Sequence, residues 1–70
     1  MNEYTVLLTW DNEAYVWIAS SNDVPGLALE AGSLDVLMER AKYAIPDLLD
    51  IKGTDFKINF KAERLAEVHA

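Results

Sequence analysis

YTVLLTWDNEAYVWIAS, residues 4–20, is the stretch that decides the fold of this chain. Its first part, Tyr4 to Trp10, is made of β-branched, aromatic and leucine side chains, the composition of a strand. On the two-residue period of a strand, Tyr4, Val6, Leu8 and Trp10 share one face and Thr5, Leu7 and Thr9 the other. Asp11, Asn12 and Glu13 then supply side chains that bond nearby backbone, which is turn chemistry. Ala14 to Ser20 reads as a second strand, and so short a connection makes the pair an antiparallel hairpin.

Beyond the hairpin, Ser21 to Gly26 forms the strongest loop signal. Pro25 fixes its own φ and holds Val24 extended, while Gly26 can take a positive φ. Leu27 to Glu30 is expected as a short third strand at an edge, closed by Gly32. Ser33 is a natural helix N-cap, with Asp35 in the first turn against the positive end of the macrodipole. Leu34, Leu37, Met38, Ala41, Ile45, Leu48 and Leu49 recur at helical spacing, with Asp35, Glu39, Arg40, Lys42 and Asp47 on the other side. Pro46 lacks an amide hydrogen, so the spacing predicts a kink or a restart there, and Gly53 is the expected terminator. Asp55 to Lys61 alternates: Phe56, Ile58 and Phe60 form a dry face and Lys57, Asn59 and Lys61 a wet one. The tail 62–70 fits strand, helical turn or frayed end equally.

The resulting order is β-β-β-α-β, an α+β class in which one helix packs on one face of a four-stranded mixed sheet. A meander of three strands followed by a crossover helix brings the last strand beside the first, parallel to it. The whole of 1–70 is read as one domain with its core at 4–61. A single helix cannot cover both faces of that sheet. The second strand is apolar on both sides, with Tyr15, Trp17 and Ala19 on one and Val16 and Ile18 on the other, and the first strand adds Leu7 to its otherwise polar face. Leaving large side chains such as these in water sacrifices about 1.5–3 kcal/mol each. Leu7, Tyr15, Val16, Trp17 and Ile18 are therefore the candidate residues of an oligomer or partner interface, and a homodimer is the expectation.

Size and composition narrow the function. A domain of this length buries only about 60% of its extended surface and usually leans on a disulfide, a metal or a partner. With no cysteine and a single histidine, His69, self-association is the support that is left. The formal net charge is −6, and the six lysines and arginines are scattered among twelve carboxylates. Phosphate binding needs a basic stripe, so direct DNA or RNA binding is disfavoured, whereas a basic protein partner suits the charge. No apolar run approaches the length of a membrane span, and the N-terminus lacks the basic start of a secretory signal. A cytoplasmic protein without membrane contact is expected.

The pieces together carry a family likeness. Trp10-Asp11, then Glu13 to Ala19, then Asp23-Val24-Pro25-Gly26-Leu27, and a glycine before a leucine-rich helix resemble the HicB-like antitoxin domain. Ile45-Pro46-Asp47-Leu48-Leu49 is similar to the helix end of a short branch of that family. The likeness spans roughly 4–61, with Asp23, Pro25 and Gly26 as its loop motif. It implies a partial ribonuclease H-like fold and a domain that binds and neutralises HicA, a small basic ribonuclease toxin. Typical members continue into a DNA-binding segment. The nine residues after Lys61 are too few for one, so direct binding to DNA is not expected.

A ribonuclease H-like fold also raises metal-dependent nuclease chemistry, which needs carboxylates on neighbouring strands, the first of them mid-strand. Residues 4–10 contain no acid; Asp11 and Glu13 fall at the hairpin turn and Asp23 at the other end of the second strand. These read as turn and solubility residues, although Glu30 and Asp55 could approach across the sheet end. Ser20 and Ser21 have no histidine at a useful spacing, and the three glycines are dispersed, so neither a nucleophile nor a phosphate loop is expected. Trp10, Tyr15 and Trp17 could stack bases, but only Lys57 and Lys61 could supply the positive groove this needs. The sequence thus reads as a protein-binding module, not an enzyme, with no metal and no cofactor. An RNA-associated sheet or a residual metal-dependent hydrolase is the alternative.

Overall fold

In the computed structural model, residues 2–51 and 55–68 are described. The order is β1 (Asn2–Asp11), β2 (Val16–Ser20), β3 (Leu29–Ala31), α1 (Leu34–Leu49) and β4 (Phe56–Glu63). The strands form one sheet in the order β3-β2-β1-β4. β1 is antiparallel to β2, β2 is antiparallel to β3, and β4 runs parallel to β1. The β-β-β-α-β architecture expected from the sequence is the one observed.

Register decides which side chains meet. Leu8 lies opposite Ala19 and Trp10 opposite Trp17, while Val6 is level with Phe60 and Tyr4 with Ile58. These residues share the face on which α1 packs. The core is Val6, Leu8, Ala19, Val24, Leu27, Leu37, Ala41 and Ile45. Leu37, Ala41 and Ile45 stand one helical turn apart and form the buried stripe of α1. A buried isoleucine or leucine contributes about 1.5–3 kcal/mol, so this small set supplies most of what holds the domain together.

Several boundaries differ from expectation. Strand β2 begins at Val16, because Ala14 and Tyr15 belong to the turn. The Tyr15 N–H reaches back to the Asp11 carbonyl at 2.8 Å, and Tyr15 has a φ of 56°. Strand β3 starts at Leu29, since the turn that carries Pro25 ends only at Leu27. Helix α1 runs unbroken through Pro46. Ser33 occupies the N-cap with extended backbone and its carbonyl accepts the first helical bond, from the Leu37 N–H, but its hydroxyl makes no capping bond. The helix is closed by Asp50 in the left-handed region, φ 54°, with the Ile51 N–H on the Pro46 carbonyl at 3.0 Å. The expected terminator, Gly53, lies outside the described residues, as does His69. Leu48, placed on the inner stripe by its spacing, is 46% exposed. At the end of the chain, Ala62 and Glu63 extend β4, and 64–68 follow without regular structure.

Candidate protein-binding surface

Helix α1 packs chiefly over β2 and β3, at one side of the sheet. The Arg40 guanidinium donates to the Glu30 carbonyl of β3 at 3.1 Å, at an exposed site between the two elements. Two surfaces are left with little cover. One is the sheet face away from the helix. Register puts Leu7, Val16 and Ile18 there, with Thr9 opposite Ile18, Glu30 beyond it on β3, and Lys57, Asn59, Lys61 and Glu63 on β4. Leu7, Val16 and Ile18 are each half-buried. The other surface is the β4 side of the helix face. There Phe56, Ile58 and Phe60 are half-buried along a shallow groove that Lys42 borders.

The aromatic residues form a separate group at the hairpin end. Trp10 is its centre. The Trp17 ring meets it edge-on at 5.4 Å between centroids and the Tyr15 ring at 6.2 Å. Arg64 lays its guanidinium over the Trp10 ring, 4.2 Å from the centroid. Trp17 also packs against the core, whereas Tyr15 is 70% exposed. The five candidate interface residues are thus divided: Leu7, Val16 and Ile18 on the open face, Trp17 on the helix face, and Tyr15 in the turn.

At the opposite end of β1, the loop motif is a clasp. The β1–β2 ladder starts at Leu7 and Ser20, which leaves Thr5 beyond it. Side chains take over: the Asp23 carboxylate accepts from the Thr5 N–H at 2.8 Å, and the Ser21 hydroxyl donates to the Thr5 carbonyl at 2.6 Å. The Asp23 N–H in turn bonds the Ser21 hydroxyl oxygen at 3.0 Å. Val24 follows, fully buried, and the Leu27 N–H bonds the Val24 carbonyl across Pro25 and Gly26. With Gly26 at φ 85°, this is the turn that takes proline second and glycine third. Asp23, Pro25 and Gly26 therefore aim Val24 into the core and finish the sheet.

The family model for a domain of unknown function, DUF1902, matches residues 3–69. The chain belongs to the DUF1902 family. Its fold is similar to that of a solved hypothetical protein, TTHA1013, from the extremely thermophilic bacterium Thermus thermophilus. The identity is 34% and the TM-score 0.73, over 99% of this chain and 100% of that one. No curated protein matches.

In this DUF1902 sheet the carboxylates raised by the sequence are held apart. Asp11 accepts from the Glu13 and Ala14 amides at 3.0 and 3.3 Å, closing the hairpin turn. Asp23 is engaged at the other end of β1. Glu30 and Asp55 do not approach one another, because β3 and β4 occupy opposite edges of the sheet. Among the described residues, no group of three histidine, cysteine or acidic side chains could hold a metal ion. Nor is any described helix long and apolar enough to cross a membrane. Arg64 is the residue that sequence reading missed. The parallel register runs Thr9 to Glu63, so one further step sets Arg64 beside Trp10. That signal was hidden while the tail had no assigned conformation.

Proposed function

We propose that this chain is a protein-binding module of the HicB-like antitoxin type. It self-associates and covers a small basic ribonuclease toxin of the HicA-like kind, working in the cytoplasm and performing no catalysis itself. The observation that carries this reading is the sheet face bearing Leu7, Val16 and Ile18, which no element of the chain covers among the described residues. On a chain of net charge −6, that face sits within an acidic molecule, complementary to a cationic protein. Further support comes from Asp11 and Asp23, whose carboxylates are committed to backbone amides.

The test is co-expression with the short basic protein encoded beside this gene. Relief of growth arrest by the wild-type chain, lost with Val16→Asp and Ile18→Asp while both variants remain folded, is the expected result. Growth arrest that persists with the wild-type chain, or a gene neighbourhood with no such protein, overturns the toxin-binding half. Salt-sensitive RNA binding abolished by Lys57→Glu with Lys61→Glu would move the assignment to an RNA-associated sheet. Magnesium-dependent cleavage lost with Asp11→Asn would move it to a hydrolase.

A further inference from the structure

We infer that the outer edge of β4 pairs with the same edge of a second copy, antiparallel about a two-fold axis through Phe60, to make one continuous sheet. The inference rests on the self-association in the reading above and assigns it a surface and a register. Among the described residues β4 ends the sheet, with β1 on one side and no strand on the other. It is eight residues long, far more than β3 at the opposite edge, which has three. An unpaired edge of that length is a template for another strand. Natural edges are blunted by proline, bulges, short length or charged side chains; FKINFKAE contains no proline or glycine, and its charges, Lys57, Lys61 and Glu63, are of both signs and can pair across a two-fold axis.

Charge selects the register. A two-fold axis perpendicular to the sheet keeps each side chain on its own face, so the axis must pass through a residue position. Two such registers overlap nearly the whole strand. With the axis through Asn59, Lys57 opposes Lys61 twice, which is repulsive. With the axis through Phe60, Lys57 opposes Glu63 twice and Asn59 opposes Lys61 on the open face. On the helix face, Phe60 then meets its own copy and Ile58 meets Ala62. That second register places apolar side chains against the half-buried strip of Phe56, Ile58 and Phe60, where α1 gives little cover. It also leaves the face bearing Val16 and Ile18 free for a different protein.

A charge swap tests the pairing. Sedimentation velocity across the micromolar range is expected to show a dimer for the wild-type chain. Lys57→Glu alone and Glu63→Lys alone each turn two attractive pairs repulsive and should weaken the dimer roughly tenfold. The double variant, Lys57→Glu with Glu63→Lys, restores opposite charges and should recover it. Circular dichroism of each variant confirms that the fold is intact. A dimer indifferent to all three variants but dissolved by Ile18→Asp overturns the β4 pairing and leaves self-association standing on the open face. A wild-type chain that stays monomeric throughout overturns both.

Discussion

The Asp23 carboxylate accepts a hydrogen bond of 2.8 Å from the backbone N–H of Thr5, eighteen residues earlier in the chain. Where the β1–β2 ladder has ended, a side chain substitutes for the missing strand partner. The bond ties the loop that delivers Val24 to the core to the strand that carries Val6 and Leu8. It gives the first prediction. Asp23→Ala should cost about 1 kcal/mol, the ordinary worth of such a bond at a solvent-exposed site. Asp23→Asn should lose less than half of that, since its amide oxygen can still accept. Urea unfolding of the two variants decides the matter; an Asp23→Ala variant as stable as the wild-type chain would mean the bond contributes nothing.

Gly26 and the turn around it supply the second. A Cβ added there would meet the Leu48 side chain at 3.7 Å, an ordinary contact, so space is not the obstacle. The obstacle is φ 85°, which L side chains rarely adopt. Gly26→Ala should therefore destabilise the fold by about 1 kcal/mol, and Gly26→Asn by less, because asparagine tolerates positive φ. Thermal unfolding that ranks alanine at or above asparagine would contradict this account.

Asp50 and Tyr15 have nearly the same positive φ, 54° and 56°, yet glycine should act oppositely at the two sites. At Asp50, which closes α1, Asp50→Gly removes left-handed strain and should stabilise by about 0.5 kcal/mol. At Tyr15 the same relief is offset by loss of the edge-on contact with Trp10, worth about 0.5–1.5 kcal/mol. Tyr15→Gly should leave stability unchanged or lower it. Chemical denaturation of both variants checks the contrast in sign.

Core and open face should also respond differently. Ile45 is fully buried, and Ile45→Ala should cost about 2–5 kcal/mol at any protein concentration. Ile18 is half-buried on the uncovered face, so Ile18→Ala should cost less than about 1.5 kcal/mol in the free chain. With the toxin-like partner added, the gap between Ile18→Ala and wild type should widen, because bound partner stabilises only the chain it recognises. Melting curves with and without partner measure both effects, and a gap that stays constant would remove Ile18 from the interface.

Much of the architecture was legible in the chain because periodicity is a local property. The alternation of Tyr4, Val6, Leu8 and Trp10, the helical spacing of Leu37, Ala41 and Ile45, and the alternation of Phe56, Ile58 and Phe60 each name an element and its inner face. Asp-x-Pro-Gly at 23–26 announced a turn with a positive φ, and Gly26 has one. Element ends were less legible. Tyr15 sits in a left-handed turn although tyrosine favours strands, because the Asp11 side chain and carbonyl organise the four residues that follow. The strand preference of tyrosine yields there to turn bonds that Asp11 makes two, three and four residues along the chain.

By itself, then, the sequence determined the order of elements, the inner faces of β1, α1 and β4 and the excess of apolar surface over what one helix can cover, while Val24 and Leu27 joined the core only through the folded loop. Tertiary structure decided where that excess lies. The lateral position of α1, over β2 and β3 and away from β4, depends on packing volumes that no single segment carries, with Arg40 bonded to the Glu30 carbonyl across the β3–α1 connection. So does the meeting of Arg64 with Trp10, which requires the parallel register of β1 and β4. Periodicity tells each segment which side to bury, but only the packing of all of them together shows which surface remains for a partner.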